Sequence, residues 1–200
     1  MAEADFCQIM TNFWEHLDKQ RARILTYYFI NQLTNCSMQE ISEGILMVDA
    51  AKTAKVNLLI WSGLMSVNEI SGGKYSHVDH FDGKAAVTAY GRRSGVPFVD
   101  VQAGMYANNL VTYFVPQKQP DGSYEVALPI HRDLALPIID IESDYGLFVR
   151  EAIESPVLSA GSEILTCGES ISMGDMLKQL GESQFPTTCT FHIFIDEGFV

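Results

Sequence analysis

Along this chain, apolar residues alternate between near-continuous runs and helical spacing, a pattern that predicts parallel strands joined by helices. Val56–Trp61 (VNLLIW) is a run of the kind expected of a strand covered on both faces, and Pro97–Val101 has the same texture. Between them Val78, Phe81, Ala85 and Ala89 recur at helical spacing. Ser76 is the expected N-cap of that helix, with Asp79 at its third position, and Gly95 is the expected stop. Upstream, Ile41, Ile45, Val48 and Ala51 repeat helically after Ser37-Met38-Gln39-Glu40, which has capping-box form. Gly44 inside that helix costs about 1 kcal/mol relative to alanine, so it is expected under a close packing contact. Ala4–Met10 reads as a short strand running into the loop Thr11–Glu15. Strand, helix, strand, helix, strand in this order is the signature of a parallel sheet with crossover helices.

Beyond Leu110 the texture changes. Val111–Val115 and Tyr124–Ile130 flank Pro120-Asp121-Gly122 and predict a hairpin. Tyr145, Phe148, Val149, Ala152 and Ile153 predict a helix stopped by Pro156, and Ile164–Cys167 a short strand. Ser172-Met173-Gly174-Asp175 opens a last helix through Leu180, and the strand-like TFHIFI near the end has no evident pairing partner. Arg21–Cys36 leaves two readings open. It is a helix, since Ile24, Leu25, Tyr28, Phe29 and Leu33 share a face, or it is a retained intron. The second reading rests on codons: Arg23-Ile24 admits a donor-like GTATT and Met38-Gln39 an acceptor-like ATGCAG. The expected organisation is a first domain over residues 1–114, with 21–36 as its ambiguous segment, a smaller α+β lobe over 115–184 and a tail at 185–200.

Charge narrows the partners. Lys and Arg number 13 against 25 Asp and Glu, a formal net charge of −12, which disfavours nucleic acid and anionic membranes as direct partners. Such a surface suits a basic protein partner, or serves only solubility. Cys7, Cys36, Cys167 and Cys189 are scattered, and the five histidines show no HExxH, so no metal site is expected. The N-terminal Met-Ala-Glu-Ala-Asp lacks the basic start of a signal peptide, and no apolar stretch reaches the ~20 residues of a membrane helix. A soluble, cytoplasmic protein with reduced thiols is expected, with the nucleus as the other location left open.

Several blocks then carry a resemblance. Thr11-Asn12-Phe13-Trp14-Glu15, Trp61-Ser62-Gly63-Leu64, His80-Phe81-Asp82-Gly83-Lys84, Gly95-Val96-Pro97 and Gly104-Met105-Tyr106-Ala107-Asn108-Asn109-Leu110 follow one another in order. Their order and spacing resemble the second half of the NmrA-like family of atypical short-chain dehydrogenases/reductases. The resemblance implies an α/β fold: an incomplete Rossmann-type parallel sheet, the region of strands 4 to 6, with a smaller C-terminal lobe. It implies NAD or NADP as the cofactor. It places nucleotide contacts on Thr11, Asn12, Phe13, Lys84, Tyr106, Ala107, Asn108 and Asn109, and catalytic roles on Lys84 and His80. Ser42 stands where some relatives carry a phosphate-contacting lysine.

Two departures bear on function. Short-chain dehydrogenases place a tyrosine four residues before the lysine, where the lysine holds the ribose and lowers the phenol pKa; here that position is His80. No GxGxxG or GxxGxxG occurs, the first glycine being Gly44, so the loop that admits a pyrophosphate to a helix N-terminus is missing and cofactor binding by this chain is in doubt. The expectation is therefore a regulatory, redox-sensing member of the family without efficient catalysis, in truncated form. Its partners would be a dinucleotide and a basic protein such as the GATA-type factors of fungal nitrogen metabolite repression, with a dimer also compatible. An NAD(P)H-dependent, isoflavone-reductase-like oxidoreductase and a nonfunctional mis-spliced fragment are the alternatives. Ser62 at a strand end, and Asn108 and Asn109 as nicotinamide contacts or turn caps, stay open on both sides. Trp14 and Trp61 read as packing residues, and Asp140, Glu142 and Asp144 as solvated residues capping the following helix.

Overall fold

The computed structural model describes residues 24–27, 37–126, 128, 130–155, 160–184 and 191–192. The chain forms two compact units, residues 1–103 with 146–165 and residues 104–145 with 166–200. The division differs from the linear reading, because the second helix-and-strand stretch after residue 145 returns to the first unit.

In the first unit, β1 (Ile24–Tyr27), α1 (Ser37–Ala54), β2 (Leu58–Trp61), α2 (Val67–Ile70), α3 (Asp79–Ser94) and β3 (Phe98–Gln102) follow in order. The strand β8 (Glu163–Leu165) completes a four-stranded sheet of order β1-β2-β3-β8, parallel throughout. The predicted parallel α/β sheet is thus present. Its identity at one edge differs from expectation: β2 has both sides occupied, by β1 and β3, so the strand beside it is Ile24–Tyr27 and not Ala4–Met10. The segment expected to be a helix or an insertion therefore contributes a sheet strand. Its Ile-Leu-Thr-Tyr core is β-favouring once a neighbouring strand is available to pair with. Ala4–Met10 and the loop Thr11–Glu15 lie outside the described residues.

The helices pack as their glycines allow. The buried residues of α1 include Glu40, Gly44, Val48 and Ala51, and those of α3 are Gly83, Val87, Thr88 and Gly91. Ala85 and Ala89, expected on the buried face, are only half-buried. Gly44 does lie under a close contact: a Cβ there would sit 2.5 Å from Val87 Cγ2. A Cβ on Gly91 would strike the Phe98 ring. Ser76 does not cap α3. The N-cap is Val78, which makes no side-chain cap hydrogen bond, while Gly95 ends the helix at φ 84° as predicted. Val48, Ala51, Leu59, Trp61, Val87, Val96 and Phe98 form this unit's core.

In the second unit, β4 (Met105–Tyr106), α4 (Asn109–Thr112), β5 (Gln117–Lys118), β6 (Tyr124–Glu125) and β7 (Ala135–Ile139) precede α5 (Tyr145–Glu154), whose later residues lead back to the first unit. After β8 come β9 (Glu169–Ser172), α6 (Met173–Gln184) and β10 (Phe191–His192). The hairpin around Pro120–Gly122 exists, but its strands are two residues each. Within Val111–Val115, residues 111 and 112 end α4 instead of starting a strand, because Tyr113 and Phe114 N–H groups bond back to Asn109 O. Two residues of the TFHIFI run do find a partner: β10 pairs in parallel with β6. The Ser172–Asp175 block opens α6 as expected, with Ser172 Oγ accepting from Asp175 N at 3.1 Å. Leu110, Val126, Leu128, Ile138, Met173, Met176 and Leu177 form the second core. No helix among the described residues is long and apolar enough to cross a membrane.

Candidate functional site

The His80–Lys84 block occupies the first turns of α3, and its residues divide their work. Asp82 is structural: its Oδ1 accepts from Ser66 Oγ at 3.0 Å and from Asn68 N at 3.1 Å, which anchors the start of α2. His80 is exposed, its ring edge-on to Phe81 at a centroid distance of 4.8 Å. Lys84, by contrast, points inward. Its side chain is 13% exposed, and Nζ lies 3.0 Å from Glu40 Oε1, on a carboxylate that is 1% exposed. The same ammonium stands 5.6 Å from the centroid of the Trp61 ring, within the reach of a cation–π contact. Trp61, the last residue of β2, is buried as a packing residue should be, yet one face of it carries this cation.

Three elements thus converge on Lys84: the first turn of α1, the C-terminal end of β2 and the early turns of α3. In open parallel sheets, ligand sites form beyond the carboxyl ends of the strands. Glu40 was read from sequence only as the third position of a capping box. Its position at the head of the stripe Glu40, Gly44, Val48, Ala51 was the signal that it faces inward.

A second buried polar group lies one helical turn along α3. Asp100 on β3 is fully buried; its Oδ2 accepts from Gln102 Nε2 at 2.9 Å and from Thr88 Oγ1 at 3.3 Å, and Arg92 Nη2 lies 3.9 Å away. Arg92 also bonds Glu163 on β8 at 2.6 Å. Gly63 makes room for the carboxylate, since a Cβ there would collide with Asp100 Oδ1. Burial pushes the Asp100 carboxyl above the ordinary aspartate range, against the opposing pull of Gln102 and Arg92. A native pKa above the unfolded one means that the folded chain holds its proton more tightly. The resulting stabilisation is full below the unfolded pKa and is lost as pH rises through the folded one. Asp100→Asn is therefore expected to gain stability relative to the parent as pH rises from the acid side of that window to neutrality. Urea denaturation of both proteins at a series of pH values measures this, and parallel stability curves would refute it.

Four further predicted contacts, residues 106–109, lie in the second unit. Tyr106 ends β4 and is half-buried, and Ala107 N donates to Ile139 O at 3.0 Å. Asn108 is the exposed N-cap of α4 and makes no side-chain cap hydrogen bond, so the turn-capping alternative is not what its amide does; Asn109 begins the helix and is half-buried. Thr11, Asn12, Phe13 and Trp14 lie outside the described residues, and Ser42 is exposed on α1. Asp140 does cap a turn: it accepts from Glu142 N, Ser143 N and Ser143 Oγ, and these bonds, the Ser143 hydroxyl foremost, hold its carboxyl below the usual range. Among the described residues no group of three or more His, Cys, Asp or Glu is placed to hold a metal ion.

A parallel sheet with crossover helices, and an inward lysine at the carboxyl end of its second strand, define an α/β protein of Rossmann type. The chain belongs to the NmrA-like family, whose sequence model matches residues 25–183. It is 28% identical over 165 residues to an NmrA-like family domain-containing protein of Dictyostelium discoideum, covering 76% of this chain and 54% of that protein. It is 34% identical over 123 residues to the nitrogen metabolite repression protein nmrA of Emericella nidulans, covering 59% of this chain and 34% of that protein. Among solved structures it resembles NmrA, a negative transcriptional regulator, in complex with NAD. The identity there is 25% and the TM-score 0.70, over 86% of this chain and 52% of that one. The chain thus spans about half the length, or less, of these relatives.

Proposed function

We propose that this chain is a dinucleotide-responsive regulatory member of the NmrA-like family, with Lys84 as its ribose contact and without efficient turnover. The observation that carries the reading is the inward Lys84 ammonium, fixed between Glu40 and Trp61 at the carboxyl end of β2. A cation so held can donate to the hydroxyls of a ribose. These residues fit the ribose; the pyrophosphate has no glycine loop in the 200 residues to receive it. Tyr106, Ala107, Asn108 and Asn109, with Thr11, Asn12 and Phe13, are the further contacts that kinship with the family suggests. A bound NAD or NADP would bring a nicotinamide whose redox state the protein can report.

His80 supports regulation over catalysis. The tyrosine that transfers the proton in short-chain dehydrogenases is absent, and the shorter imidazole here is exposed beside Phe81. The net charge of −12 favours a basic protein partner, such as a GATA-type zinc finger, as the recipient of the signal. The relatives support this direction: one is named for nitrogen metabolite repression, and the solved NmrA is described as a negative transcriptional regulator and binds NAD. Calorimetric titration of NADP+ and NAD+ into the 200-residue chain tests the binding, and loss of NADPH absorbance with carbonyl and enone substrates tests turnover. Saturable binding without NADPH consumption is expected. Absence of binding at millimolar dinucleotide would defeat the reading, and steady turnover would favour the reductase.

A further inference from the structure

A buried ion pair on a helix–helix contact is costly to assemble, since desolvation of both charges offsets most of their attraction. The packing of α1 on α3 does not call for one. Gly44 takes Val87 against its bare backbone, and Val48, Ala51 and Val87 share one apolar cluster. An apolar residue at position 40 would have extended that stripe. Instead the position holds a carboxylate, 1% exposed, whose partner is the lysine at the candidate ribose contact.

The pair has a consequence for Lys84. A lysine side chain has four rotatable bonds and gives up much rotamer freedom when a ligand immobilises it. With Glu40 Oε1 at 3.0 Å and the Trp61 ring beneath, that freedom is already lost in the folded chain. A contact ordered in advance costs the ligand less to make. Glu40 also stands in the first turn of α1, where the helix dipole attracts negative charge. The close approach at Gly44, one turn further along α1, keeps the two helices near enough for the pair to form.

We infer that Glu40 is the positioning residue for Lys84: it holds the ammonium where a dinucleotide ribose meets it, without touching the nucleotide itself. This rests on the proposed role of Lys84. NADP+ affinity is measured by calorimetry for the parent, Glu40→Gln, Glu40→Asp and the charge swap Glu40→Lys/Lys84→Glu, each corrected for its folded fraction. Glu40→Gln is expected to bind about tenfold more weakly, through loss of the ion pair that orders Lys84, and Glu40→Asp to recover part of it. The swap is expected to fold like the parent and not to bind, because it takes the ammonium away from position 84. The 15N signal of the Lys84 ammonium, sharp in the parent, is expected to broaden in Glu40→Gln. If Glu40→Gln fails to fold, Glu40→Asp decides: weaker binding supports the inference and unchanged binding overturns it. Parent-like affinity in Glu40→Gln overturns the inference alone, and binding by the swap overturns the role of Lys84 with it. No binding by the parent overturns the proposed function along with it.

Discussion

Lys84→Met is expected to destabilise the first unit by about 3–5 kcal/mol, the range for removing one partner of a buried ion pair. The reason is what stays behind. Glu40 is 1% exposed and pairs with Lys84 at 3.0 Å, so methionine leaves a carboxylate in the apolar contact between α1 and α3. The methionine itself is tolerable there, since it nearly matches the lysine stem in length and can lie on the Trp61 ring. The damage therefore belongs to Glu40, and a second substitution separates the two causes. Glu40→Leu/Lys84→Met removes both charges and continues the apolar stripe through Gly44, Val48 and Ala51. Its stability is expected to return to within about 1 kcal/mol of the parent or above it, because apolar replacement of a buried pair is often neutral or stabilising. Urea denaturation of the parent, both single variants and the double variant gives the coupling directly. A double variant as unstable as Lys84→Met would locate the loss in packing rather than in the stranded charge.

The sequence showed much of this frame and little of the pair. β2, β3 and α5 were legible because each is a single strong pattern: a buried apolar run, or a helical stripe bounded by breakers. Gly44 and Gly95 were legible for a related reason, since a glycine within or after a helix calls for a close contact or a left-handed residue. Ile24–Tyr27 was not, because β-branched and aromatic residues also fell at helical spacing there and only the neighbouring β2 decides between them. β7 is hard to read from sequence because Pro137 argues against a strand. The structure accommodates it by a short neighbour: β4 pairs only with Ile138 and Ile139, so the ladder on that side begins just past the proline. At the site, the His80–Lys84 spacing pointed to Lys84 but could not supply its partner, which comes from another helix. Asp100 was hidden in the same way, inside a run whose other members are the apolar core of β3.

Trp61→Ala is the other large effect expected, about 3–5 kcal/mol for emptying a fully buried aromatic site. Trp61 is 1% exposed, packs in the cluster with Val87 and Phe98, and pairs in register with Tyr27 on one side and Asp100 on the other. Alanine removes two things, the bulk and the π face beneath Lys84, and the choice of replacement can part them. Leucine and phenylalanine both leave a smaller cavity, but only phenylalanine keeps a ring 5.6 Å-scale contact for the ammonium to rest on. A cation–π contact is worth about 0.5–1 kcal/mol when exposed and about 2 kcal/mol or more when desolvated. Lys84 is 13% exposed, so the contact falls toward the stronger end. Trp61→Phe is accordingly expected to exceed Trp61→Leu in stability by about 1 kcal/mol, as read from denaturation midpoints. In a Glu40→Leu/Lys84→Met background, where no cation stands over the ring, that margin is expected to shrink. An unchanged margin there would mean that the ring matters to the core alone and that Lys84 is held by Glu40 without it.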